Sequence, residues 1–181
     1  MDQEFQYDEE AEAEAKAEVE AVIASMDEVS RRLLSDVEVE VSMDDLPEWM
    51  FAETSTRDLK CFRLTINRVR YREADEGERL WRLAHELGRL IHILTERGRL
   101  TPPGREVILS GDEADANALA LLWGFKPPRA VVESEVLEAY REAVEGGFKG
   151  GDLIRYVAYR SGFSPEVVGE VLRRIRGLPR P

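Results

Sequence analysis

His85 and His92 are the only histidines in this 181-residue chain, and both fall within His85-Glu86-Leu87-Gly88-Arg89-Leu90-Ile91-His92. Any imidazole chemistry must arise there. A histidine followed by glutamate opens the pattern HExxH, in which two imidazoles one helical turn apart hold a zinc ion and the glutamate activates its bound water. Here the second ligand position holds Arg89. Arginine stays protonated and has no lone pair to give, so it coordinates nothing. Beside a dication it adds repulsion on the order of 8 kcal/mol at about 4 Å and an effective dielectric of about 20, unless it turns away. His92 substitutes poorly: seven helical residues rise roughly 10 Å, four roughly 6 Å, and imidazoles sharing a zinc need nitrogens within about 4 Å. Between Ile91 and Ile93, His92 suits a packed or partly exposed role. A His-Glu pair alone is also what a solvated helix face would show.

The helix that must carry this segment is legible from Asp75 onward, with Leu80, Leu83, Ala84, Leu87, Leu90, Ile91 and Leu94 on one broad face until Gly98. Before it, Asp8 to about Ser35 reads as one Ala/Glu-rich amphipathic helix whose first turns are too polar to bury. Val37, Val39 and Val41 alternate with polar residues, and the run from Cys61 to Val69 alternates again, predicting two short strands separated by a Pro47 turn and an irregular stretch. After the Pro102-Pro103-Gly104 break, a helix is expected from Ser110-Gly111-Asp112 to Trp123, then three more over 134–144, 152–159 and 164–176. The fold expected is α+β and predominantly helical, with a small sheet packed on the helix of His85 and a helical C-terminal tail. The organisation expected is an acidic helix start over 1–20, a main domain over 21–128 and a tail over 129–181.

The residues around His85 carry a wider pattern. Leu64-Thr65-Ile66-Asn67 offers a strand ending in asparagine, Arg82-Leu83-Ala84-His85-Glu86-Leu87-Gly88 precedes Arg89, and Glu113-Ala114-Asp115-Ala116-Asn117-Ala118-Leu119-Ala120 follows. Over residues 37 to 125 this resembles the ImmA/IrrE metallo-endopeptidase family, which has a zincin-like domain. The resemblance implies zinc held by His85 and a carboxylate, Glu113 or Asp115, with Glu86 as general base. Leu119 stands where the family usually has Phe, a tolerable packing change. Arg89 stands where it has its second histidine. A guanidinium there could replace the ion by pairing with Glu113 and Glu86, clamping two helices without metal.

Charge is uneven along the chain. The net charge is -12, but residues 1–60 carry 19 acidic and 5 basic side chains, whereas residues 149–181 carry 3 and 7. So acidic a protein does not coat nucleic acid. In the tail, Ala158-Tyr159-Arg160-Ser161-Gly162-Phe163-Ser164-Pro165 has the spacing of a helix-turn-helix, with Arg160, Arg173, Arg174 and Arg176 as possible contacts to DNA or a partner. A single cysteine, Cys61, excludes thiolate zinc sites and internal disulfides. No apolar run is long enough to cross a membrane, and the acidic start is unlike an export signal, so the expected setting is the cytoplasm.

Together these features favour a degenerate, inactive ImmA/IrrE-like domain without a cofactor. It would serve as a binding or regulatory module for a protein partner, and the resemblance suggests a helix-turn-helix transcriptional regulator as that partner. Two alternatives stay open: an active zinc endopeptidase, and a DNA-binding protein that uses its tail.

Overall fold

The computed structural model describes residues 2–97, 100, 102–109 and 113–175. The chain runs α1 (Asp2–Ser25), α2 (Glu28–Ser35), β1 (Glu38–Asp44), β2 (Ala52–Thr56), β3 (Cys61–Asn67), α3 (Arg68–Glu73) and α4 (Glu76–Glu96). It continues with β4 (Val107–Ile108), α5 (Glu113–Leu122), α6 (Arg129–Glu145), α7 (Gly150–Ser161) and α8 (Pro165–Ile175). The fold is α+β and predominantly helical. Its mixed sheet has the order β1-β3-β2-β4, with β1 parallel to β3 and the other pairs antiparallel. Among the described residues no helix is long and apolar enough to cross a membrane.

Alternation decides which face of the sheet is covered. Phe62, Leu64 and Ile66 of β3 point inward and are almost wholly buried, while Arg63 between them is exposed. Against that inner face lies α4, whose Leu83, Leu87, Leu90 and Ile91 complete the core, with Val19 and Val22 of α1 alongside. The tail forms its own helical layer, α6 packing on α7 and α8, and α7 also reaching α5.

Several elements depart from the sequence expectation. The expected single helix from Asp8 to Ser35 breaks at Asp27, whose carboxylate accepts from the backbone N–H groups of Val29 and Ser30 and so caps a new helix. The same carboxylate accepts from Ser30 Oγ and Trp123 Nε1, tying α2 to the end of α5. Hydrogen bonds from Ser30 and Trp123 hold Asp27 down at a pKa of about 2. The stretch expected to be irregular contains β2, whose Thr54, Ser55 and Thr56 are buried without large apolar side chains because the ladder and their hydroxyl bonds satisfy them. Val69 belongs to α3 rather than the preceding strand, since Asn67 caps that helix through Val69 N and Arg70 N. The other end of the Asn67 amide donates to the carbonyls of Leu46, Pro47 and Met50. One buried side chain thereby fixes the loop that joins β1 to β2. The expected cap at 110–112 and the end of the last helix at Arg176 lie outside the described residues.

Candidate functional site

His85, Glu86 and Arg89 leave α4 within one turn, and α5 crosses that turn closely. Gly88 makes the approach possible: a Cβ there would stand 2.7 Å from the carbonyl oxygen of Ala116. The crossing brings Glu113 over His85 and Arg89. Arg89 Nη2 donates to Glu113 Oε1 at 2.6 Å, and Arg89 Nη1 spans both oxygens of Glu86 at 3.0 and 3.2 Å. Glu86 is buried, and its Oε2 also accepts from Thr54 Oγ1 at 3.2 Å. Arg89 Nη2 stands 3.2 Å from His85 Nε2.

The imidazole of His85 is held at both nitrogens. Asn117 donates its Nδ2 to the carbonyl of Ser161, which turns Oδ1 toward the ring, so His85 Nδ1 donates to it at 2.7 Å. On the other side Nε2 lies 2.9 Å from Glu113 Oε2, closer than it lies to Arg89. A ring that donates from both nitrogens is an imidazolium. Burial pushes the His85 pKa down, but the hydrogen bond to Glu113 and the charges of Glu86 and Glu113 outweigh it, and the net shift is upward. Burial likewise pushes Glu113 up, and the bonds and charges of His85 and Arg89 reverse that, bringing it down to about 2. Two cations therefore face two carboxylates in a neutral cluster. This is how a partly buried group of charges avoids the desolvation penalty of an unpaired ion.

The cluster does not fit the zinc ion that the resemblance implies. A zinc needs a lone pair on His85 Nε2 and a free carboxylate oxygen; here Nε2 holds the proton it donates to Glu113, and the two Glu113 oxygens accept from His85 and Arg89. The positive charge of a dication is supplied instead by Arg89 and His85. Among the described residues, no group of three or more His, Cys, Asp and Glu side chains is arranged to hold a metal ion.

The other sequence candidates fall elsewhere. Asp115, the second carboxylate considered, points away from the cluster and meets His92 Nδ1 at 3.0 Å on the surface. Arg160 is paired with Glu142 at 3.0 Å, and Arg174 with Glu133 and Glu170 at 2.8 Å each. Arg173 donates from Nε to the carbonyl of Gly169. Arg176 lies outside the described residues. The turn between α7 and α8 is packed rather than open: Ser161 and Phe163 are buried, and Gly162 is left-handed at φ 70°. A Cβ at Gly162 would stand 2.5 Å from Asn117 Nδ2, so this turn lies directly behind His85.

The sequence reading missed Asn117, Thr54 and Trp49 as parts of the site. Asn117 sits four residues after Glu113, the spacing that places two side chains on one helix face, and that signal could have found it. Thr54 and Trp49 carry no local signal, because only the sheet and the loop pinned by Asn67 bring them near α4. Over the cluster lies a recess of about 200 Å³ lined by Trp49, Phe51, Arg82 and Glu135 as well as the cluster itself. It adjoins a cleft of about 510 Å³ walled by α3, α4, α6 and α7. No family model matches the sequence, and neither a curated protein nor a solved structure does.

Proposed function

We propose that this chain is a non-hydrolytic, metal-independent domain of the ImmA/IrrE type that works as a binding or regulatory module for another protein. The observation that supports this reading is the Arg89 guanidinium lying between Glu86, His85 and Glu113. In a zinc peptidase, Glu86 would take a proton from metal-bound water and the ion would polarise the scissile carbonyl. Here Glu86 accepts from Arg89 with both oxygens and from Thr54 with one, so its lone pairs are engaged within α4 and with β2. His85 and Glu113 are engaged with each other. His85 and Arg89 instead dock α4 on Glu113 of α5, beneath an open cleft that can receive a segment of a partner. By the resemblance, a helix-turn-helix regulator is the partner class to try first.

A DNA-binding reading draws less support. The exposed residues at the start of α8, where a recognition helix would meet bases, are Pro165, Glu166 and Val167, with no cation among them. Arg160 and Arg174 are already paired with carboxylates.

The test is incubation of the purified chain with zinc and a mixed peptide pool, read by mass spectrometry beside Glu86→Gln. The expected result is no difference between the two proteins. Zinc-dependent cleavage that Glu86→Gln abolishes would replace this reading with that of an active endopeptidase.

A further inference from the structure

The cleft beside the Arg89 cluster has its own charge and its own aromatic. Six glutamates and three arginines line it, a formal balance of -3. Each arginine already has a carboxylate: Arg70 meets Glu73 at 3.6 Å, Arg82 meets Glu135 at 2.5 Å, and Arg160 meets Glu142 at 3.0 Å. Glu113 is committed to Arg89 and His85. Among the described residues no cation contacts Glu138, which lines the cleft from α6. Burial pushes the Glu135 carboxyl above the ordinary range although Arg82 and His85 oppose it.

Trp49 lines both the cleft and the recess, and it is 78% exposed. Its loop is held at Leu46, Pro47 and Met50 by Asn67, and at Glu48 by Arg70 Nε. An indole presented in this way on a fixed loop offers a π face to a cation and a flat wall to an alkyl stem. Phosphate and other anions would meet a surplus of carboxylates here.

We infer that the cleft takes an extended segment of a partner protein bearing lysine or arginine, with a cationic side chain entering the space that Trp49 and Glu138 share. The inference rests on the reading of the chain as a binding module. It narrows the partner to a basic, flexible segment and makes Trp49 and Glu138 the residues that select it.

The experiment is fluorescence anisotropy on the full chain, using a fluorescein-labelled short peptide that alternates alanine with arginine and lysine. A counterpart with glutamate in place of each cation is the comparison probe. The basic peptide should bind and the acidic one should not. Trp49→Ala and Glu138→Gln, both at exposed positions, should each weaken binding about fivefold. Glu40→Gln and Glu53→Gln, on the outer face of the sheet, remove the same charge from a chain of net -12 and should leave binding unchanged. Equal weakening by all the glutamate variants would mean general attraction to an acidic protein and would overturn the inference. So would absence of binding, or preference for the acidic peptide. Recovery of cleaved peptide would count against the non-hydrolytic reading and not against the charge preference of the cleft.

Discussion

His85 and His92 stand on the same helix, and each reaches a carboxylate of α5, Glu113 at 2.9 Å and Asp115 at 3.0 Å. Judged by distance the two contacts are alike. Their surroundings differ: the His85 side chain is 13% exposed, whereas His92 and Asp115 are 31% and 56% exposed. His85 also has Asn117 behind it and the Arg89–Glu86 pair beside it, while the His92 contact stands at the surface. Burial makes the inner charges dependent on one another, because none can be removed without stranding the rest in a poorly solvated place. Water screens the outer pair, so its loss changes little. What distinguishes the two histidines is thus the helix face on which each falls.

The largest test of that contrast is Arg89→Ala. It leaves Glu86 and Glu113 with His85 as their remaining cation, and unfolding in urea should show a loss of about 3 kcal/mol near neutral pH. The loss should shrink as acid protonates the carboxylates. If the variant is as stable as the wild type, the inner cluster is no more cooperative than the outer pair.

Acid titration gives a smaller and more specific effect. The folded pKa of Glu113 is depressed, so its contribution is present above its ordinary value of 4.5 and is lost as pH falls through about 2. That contribution is about 2 kcal/mol once the 30% of its side chain open to water is allowed for. Asp27 loses stability in the same window. The quantity to measure is therefore the difference between wild type and Glu113→Gln in denaturant midpoints from pH 6 to about pH 2. The wild type should fall more steeply. His85 contributes with the opposite sign: its raised pKa makes its contribution full below 6.5 and lost as pH climbs past the folded value.

The smallest effect belongs to the outer pair. Asp115→Asn should change stability near neutral pH by less than about 0.5 kcal/mol. A loss comparable to that of Arg89→Ala would erase the distinction between the two histidines.

Much of this architecture could be read from residue order. The apolar face of α4, the valine alternation of β1 and the breaks at glycine and proline give the main helices and two of the strands, because period and punctuation are local properties. What escaped depends on long-range partners. Asp27 looks like one more polar residue in a helix until Trp123 and Ser30 meet it. The residues of β2 look like a loop until β3 and β4 pair with them. At the site, the spacing of His85, Glu86 and Arg89 on one helix was visible, as was Glu113 as a possible partner. The orientation of the His85 ring was not, since it depends on Asn117 being turned by the carbonyl of Ser161 in the tail, 44 residues further along the chain.

On the reading proposed above, Arg89 takes the place a zinc ion would need. Isothermal titration of zinc into the metal-stripped wild type and into Arg89→His tests it most directly. The wild type should show no stoichiometric binding, and Arg89→His should bind, because it removes the guanidinium and supplies a second imidazole opposite Glu113. One zinc per wild-type chain, lost on His85→Ala, would contradict it.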